Sequence, residues 1–353
     1  MIAAIQSPSM RVKRVAIFRN LRALAWSGRI LYASRGYTLL ATEPENSFSW
    51  REVGRFHPPY WRLLTSRNRL SSRLVRDGFH ALAAPLYGNL VAAVSGAIVT
   101  LNTGDKEFRV THRITRGTRP LHIAAVPDGR VYWGEYFDNP NREAVHIYAS
   151  GDGGASWNIA YTFGAGSIRH IHNIVYDRWQ NCLWILTGDY GPECRIIRAS
   201  LDFTTMHEVL AGDQQARAVA AVVSEDGIYF ASDTPLEQNH ISHLDRSGNL
   251  RSLSAISSSS IYGCRNRAGT FFSTMAEPSE VNASNEVRLY SSQTGAEWSE
   301  LASWRKDGWP MKFFQYGNVF LPDGDNQTDL LAVSTIAVEG ADLQTTVWRT
   351  STA

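Results

Sequence analysis

Residues 145–157 read V-H-I-Y-A-S-G-D-G-G-A-S-W, a strand-like run that leads into a Ser-x-Asp-x-Gly-x-x-Trp turn on Ser150, Asp152, Gly154 and Trp157. At the far end of the chain, T-T-V-W-R-T-S (Thr345 to Ser351) repeats the strand up to the matching serine and then stops. The strand expected next is supplied most economically by R-V-K-R-V-A-I-F, Arg11 to Phe18, at the opposite terminus. A chain whose last sheet borrows its outer strand from its own N-terminus closes into a ring, the arrangement of a β-propeller.

The same strand recurs as C-R-I-I-R-A-S (Cys194 to Ser200) and V-R-L-Y-S-S (Val287 to Ser292). After Ser291 the turn is degraded: Gln293 replaces the aspartate, while Gly295 and Trp298 are kept. After Ser200 only Asp202 survives, with His207 in the tryptophan slot. A spacing of roughly 45 to 60 residues suits four-stranded blades. Seven blades are expected, with inner strands near Leu24, His80, His122, His170, Arg217, Ile261 and Phe314; six blades is the alternative. Turns from first to second strands are expected at Pro127–Arg130, Ser224–Gly227, Asn266–Gly269 and Pro322–Asp325, where Gly, Asp and Asn supply positive φ. The all-β reading therefore treats residues 1–353 as a single propeller domain.

A length of 353 residues would also admit two average domains, but the repeats favour one unit. Net charge is +2, which selects no partner by itself. The basic residues are nonetheless uneven. Arg51, Arg55, Arg62, Arg67, Arg69, Arg73 and Arg76 face only Glu52 within their segment, which is either a solvated surface or an anion-attracting flap beside the functional rim. Cys182 and Cys194 are expected at opposite ends of a hairpin, so free thiols are expected with Cys264. No run approaches the ~20 apolar residues of a membrane span, and residues 1–14 do not read as a signal peptide. A cytoplasmic protein is expected as encoded, with secretion by another route left open. No phosphate-binding loop, dinucleotide fingerprint or G-x-S-x-G elbow occurs, and no nucleic acid is expected as a partner.

Strand reversal puts the Ser-x-Asp-x-Gly turns and the first-to-second turns on one face. The second-to-third loops and the beginnings of the inner strands lie on the other. In blades three to six those loops are long and polar: Gly134–Arg142, Thr187–Glu193, Ser232–His240 and Ser273–Glu280. They bring the carboxylates Glu135, Asp189, Asp233 and Glu277, with Glu193 and Asn239, to one rim. The adjoining inner strands add His122, Arg169, His170, His172, Asn173, Arg217, Gln315 and Tyr316, and in R-H-I-H-N the two histidines share a strand face. Such a convergence suits a charged, hydrogen-bonding small-molecule or sugar site.

Three chemistries are open. Two carboxylates about 5 Å apart suit a retaining glycosidase and a wider pair an inverting one. A histidine base with Tyr316 and Arg217 suits β-elimination from a uronic acid. Neither requires a cofactor, although His170 and His172 with Asp189 or Glu193 form a set for a divalent cation.

On S-G-D-G-G-A-S-W, S-S-Q-T-G-A-E-W, R-H-I-H-N, T-G-D-Y-G-P-E and A-E-P-S, the chain resembles the sialidase-like β-propeller superfamily, and within it bacterial BNR or Asp-box repeat proteins labelled glycosyl hydrolases. The resemblance covers the whole chain as architecture. It implies an arginine triad, for which Arg217, Arg169 and Arg265 are the expected stand-ins, and a tyrosine–glutamate pair, expected on Tyr316 and Glu277. The Arg-Ile-Pro motif of true sialidases does not occur.

The expected function is a carbohydrate-active enzyme that cleaves glycosidic bonds in an anionic or exopolysaccharide-type glycan at the axial mouth. Glu135, His170, His172, Asp189, Asp233, Glu277 and Tyr316 are the catalytic candidates. His122, Arg169, Asn173, Glu193, Arg217, Asn239 and Gln315 are the substrate-binding candidates. The alternatives are a polysaccharide lyase and a non-catalytic propeller that binds glycan or protein through Tyr136, Phe137 and Tyr190.

Overall fold

The computed structural model describes residues 10–352 except 46 and 67, so Arg67 and residues 1–9 lie outside it. The described strands form seven sheets in chain order around one axis. Blade one contains Arg22–Gly28, Ile30–Arg35, Thr38–Thr42 and Arg51–Arg55. Blade four, the most regular, contains His170–Asp177, Cys182–Gly188, Arg195–Ala199 and Met206–Ala211. In each blade the second strand is buried on both faces, as Cys182–Gly188 and Leu330–Ile336 are throughout. Their β-branched and small side chains fit a site packed from both sides. Outer strands such as Asn158–Phe163 are half exposed.

The last blade mixes the two termini. Arg11–Arg19 pairs antiparallel with Gln344–Ser351, with Arg11 opposite Ser351 and Arg19 opposite Gln344. A second tie departs from the sequence expectation. Pro322–Asp325 is not a simple tight turn: Asp323–Asn326 leaves blade seven and pairs in parallel with Ala25–Gly28 of blade one. Gly324 makes this possible. Its φ is +90°, and a Cβ there would lie 2.2 Å from the Trp26 carbonyl oxygen. The seventh inner strand is also displaced. Phe314 ends the short helix Met311–Phe314, which follows Pro310, and the strand is Asn318–Phe320.

The Ser150–Trp157 turn is a brace between blades. Ser150 Oγ donates to Asp152 and accepts from the Gly154 amide, while Asp152 accepts the Ala155 and Ser156 amides. These bonds hold Asp152 at a pKa of about 2 against the effect of burial. Trp157 Nε1 reaches Thr111 of blade two at 3.1 Å, and the Gly154 carbonyl accepts from Thr100 at 2.7 Å. Cys182 and Cys194 are buried free thiols, and Cys264 is free and half-buried. No helix is long and apolar enough to cross a membrane, among the described residues.

The arginine-rich segment follows the outer strand of blade one as two short helices, Tyr60–Thr65 and Arg69–Val75. Arg73 is fully buried and clasps blade seven, donating to Asp307 at 2.6 Å and to the Phe314 carbonyl at 2.6 Å, with Asp342 at 3.4 Å. Arg73→Ala strips a buried guanidinium from two carboxylates whose remaining cationic partners among the described residues are Lys306 and Arg69. The expected loss is about 3 kcal/mol of unfolding free energy in urea titration; a change within 0.5 kcal/mol, roughly the scatter of a surface substitution, would show the clasp to be dispensable.

Candidate functional site

A cavity of about 990 Å³ opens on the axis. Its lining comes from the beginnings of inner strands and from second-to-third loops, the face opposite the Ser150–Trp157 turn. The helical arginine segment forms one side of the mouth through Leu63, Ser66, Arg69, Ser72 and Arg76. It is not a freely charged flap. Arg62 pairs with Asp77 at 3.1 Å, Arg69 with Asp342 at 2.5 Å, and Arg55 with Glu52 at 3.1 Å. Among the described residues of the segment, Arg76, the left-handed residue that ends the second helix at φ +52°, lines the cavity without an ion pair.

One side of the cavity is acidic. Asp233 and Glu277 line it with Arg217, Tyr136, Gln315 and Tyr316. Asp233 follows the second strand of blade five, and its amide donates to the Arg217 carbonyl at 2.8 Å, so strand pairing fixes the loop's first residue. Burial raises the Asp233 carboxyl to about 7; Arg217 and a hydrogen bond from Ser259 oppose this, while Glu277 and Asp189 reinforce it. Burial also raises Glu277, against Arg217 and a hydrogen bond from the Tyr316 hydroxyl. Tyr316 is raised by burial and by Glu277. Tyr136 is pushed up to about 12 by burial and by Asp233 and Asp189. These are the environments that keep a carboxyl protonated near neutrality beside a second acid–base pair.

The other side is basic. Arg22 and Arg119 flank the Tyr262 hydroxyl there, with Arg76 beside Arg119. Arg22 donates to the His80 carbonyl at 3.1 Å and stacks on Phe320 at 3.9 Å, but its buried Nε has no partner. No hydrogen bond or ion pair neutralises the Arg119 or Arg76 side chain among the described residues. Arg119 is lowered to about 10 by burial and then by Arg22 and Arg76. His80 is held well below its ordinary range by burial and by the same arginines. Three arginines kept close, with only Asp323 nearby and no ion pair to any of them among the described residues, form a site for an anion.

The remaining candidates lie elsewhere. Glu135 is outside the lining: Arg116 holds both its oxygens and the His146 amide donates to it at 2.8 Å. Glu193 is engaged by Arg142 at 2.6 Å, away from the histidines. Asn173 donates to the Val219 carbonyl and Asn239 joins Ser232, Thr234 and Asn282, so both pin backbone. His122 contacts Asp323 at 3.0 Å. Arg265 is exposed and does not line the cavity, and Arg169 is paired with Asp138 and, at 3.5 Å, with Asp189. Arg22, Arg119 and Tyr262 were missed by sequence reasoning. Their one signal was position, since each sits at or just before the beginning of an inner strand.

His170, His172 and Asp189 form a recess behind Tyr136 and Arg217. The Tyr136 and His170 rings lie 4.4 Å apart, and Arg217 Nη2 is 3.2 Å from Asp189 and 3.5 Å from Asp233. Burial opposes ionisation of Asp189, yet hydrogen bonds and charge from the two histidines hold it far below the usual carboxylate range. Burial lowers His172. The three residues offer donor atoms within 4.8 Å of one another.

No family model matches the chain, and no curated protein does. Among solved structures the chain is similar to the WD40 β-propeller domain of Doa1, at 10% identity and a TM-score of 0.57 over 97% of each chain. It is also similar to the Cps50 (Swd1) β-propeller domain of Myceliophteria thermophila, at 8% identity and 0.58 over 97% of this chain and 100% of that one. A chain of a mitotic checkpoint complex matches at 8% and 0.56 over 99% of each. At such identities the likeness establishes a seven-bladed propeller and nothing about chemistry.

The Asp233 environment has a thermodynamic consequence. A carboxyl raised to about 7 in the native state keeps a proton that the unfolded chain releases near pH 4. The stability linked to that proton is complete below about pH 4 and is lost as pH rises toward 7. Asp233→Asn should therefore gain stability relative to the parent between pH 4 and 7, on the order of a few kcal/mol, measured by urea unfolding at each pH. A difference that stays flat with pH would mean the carboxyl is not raised.

Proposed function

We propose that the axial cavity is the active site of a glycoside hydrolase acting on a carboxylate-bearing sugar. One observation carries the reading: a single cavity holds a carboxyl raised toward neutrality and a hydrogen-bonded Tyr–Glu pair on one side, and three arginines, none of them in an ion pair among the described residues, on the other. In this reading Asp233, still protonated near neutrality, gives its proton to the glycosidic oxygen as the bond to the leaving group breaks. The Tyr316 oxygen attacks the anomeric carbon while Glu277 takes its proton. Asp233, now ionised, then removes a proton from the water that attacks the anomeric carbon, and Glu277 returns its proton to the departing Tyr316 oxygen. Arg22, Arg76 and Arg119 hold the substrate carboxylate. Arg217 keeps Asp233 oriented without holding it ionised.

Elimination is less well supported, because His170 and His172 turn their Nε2 atoms to each other and to Asp189 rather than to the cavity. The three free thiols suit the reducing, cytoplasmic compartment expected from the sequence.

The test is a panel of anionic oligosaccharides and aryl glycosides, reading reducing ends together with the absorbance of unsaturated uronates. New reducing ends without the unsaturated signal are expected. Asp233→Asn and Tyr316→Phe should each lower kcat about 100-fold or more, and Arg119→Ala should chiefly raise KM. An unsaturated product would replace hydrolysis by elimination. Measurable glycan binding with no product across the panel would leave a binding propeller.

A further inference from the structure

The recess behind the cavity holds an arrangement that acid–base chemistry in the cavity does not use. His170 Nδ1 lies 3.0 Å from the Phe137 carbonyl oxygen, and His172 Nδ1 lies 2.9 Å from the Ala218 carbonyl oxygen. A carbonyl only accepts, so each Nδ1 carries a hydrogen and Nε2 is left as the nitrogen that can take up a proton or a metal ion. The two Nε2 atoms are 3.0 Å apart, and Asp189 Oδ1 is 3.4 Å from the first and 3.3 Å from the second. Two imidazole nitrogens and a carboxylate oxygen thus converge on one point, where a bound ion would displace any proton shared with Asp189, and all three residues are nine-tenths or more buried.

We infer that His170, His172 and Asp189 form a binding site for one divalent transition-metal ion of the zinc type. The edges of the triangle are the second argument. Donors about 2.0–2.1 Å from a tetrahedral zinc ion stand about 3.3–3.4 Å from one another, and the observed edges are 3.0, 3.3 and 3.4 Å. Calcium is disfavoured by the two nitrogens and by the small span. The carbonyls behind each Nδ1 are the usual orienting partners of histidine ligands, and they come from the blade-three loop and the blade-five inner strand. All three ligands belong to blade four, and the carbonyls that orient the imidazoles link the site to blades three and five. Arg217 and Arg169 share the Asp189 carboxylate at 3.2 and 3.5 Å. Their charges lower the affinity for the ion, and they leave Asp189 bridging the metal and the guanidinium that faces Asp233.

This site does not depend on the reaction assigned to the cavity, and its test reads no activity. The full chain is stripped with a chelator, dialysed, and titrated with Zn2+ and separately with Co2+, then desalted and analysed for metal. One equivalent per chain is expected, with a melting temperature that rises with ion concentration. The Zn2+-loaded protein should show by X-ray absorption a shell of nitrogen and oxygen near 2.0 Å that includes two imidazoles. His172→Gln and Asp189→Asn should each reduce retained metal at least tenfold, while His57→Gln, an exposed control, should not. The X-ray absorption measurement on the unaltered chain decides the matter even where a variant fails to fold. Retention below a tenth of an equivalent, or a sulfur shell from Cys182, Cys194 or Cys264, overturns the proposal.

Discussion

The pairing of Arg11–Arg19 with Gln344–Ser351 is the interaction on which the rest depends. A propeller blade contacts only its neighbours, so an unclosed ring would leave two blade faces exposed and no common axis. Here the closure is double. The outer strand comes from the N-terminus, and on the axial side Asp323–Asn326 crosses from blade seven to the first strand of blade one. The second tie brings Asp323 to His122 and within electrostatic reach of Arg22. The strand that seals the ring therefore also sets charge at the edge of the cavity.

Once the ring is closed, the axial cavity collects charges that chain order keeps apart. Arg22, Arg76 and Arg119 approach from blades one to three, and Asp233, Glu277 and Tyr316 from blades five to seven. Neither group neutralises the other. Arg22 and Arg119 lose solvent without an ion pair among the described residues, and the acids lose solvent with one guanidinium, Arg217, shared between Asp233 and Asp189. In a low-dielectric space each unmet charge costs free energy. That cost is characteristic of a surface organised around a ligand rather than around its own stability.

Blade four contributes no side chain to the cavity, although R-H-I-H-N and T-G-D-Y-G-P-E are the most chemically suggestive stretches of the chain. Tyr136 of the preceding blade covers His170, and Arg217 of the following blade covers Asp189. The imidazoles are held by carbonyls on both sides, which turns reactive-looking residues into a buried, oriented set.

The blade count, the strand exchange between termini and the face that carries the long polar loops were legible in the sequence. Each follows from local periodicity, turn chemistry and the alternation of strand direction, which are properties of neighbouring residues. The same logic brought Arg217, Asp233, Glu277, Gln315 and Tyr316 to one rim. Tertiary structure alone decided the rest. Glu135 was withdrawn by Arg116, which lies 19 residues earlier. Glu193 was withdrawn by Arg142, 51 residues earlier. Arg22 and Arg119 became cavity residues because blades distant in sequence are adjacent around the axis. Local pattern determines which face of a strand a side chain occupies. Which opposite charge reaches it first depends on how the blades pack against one another.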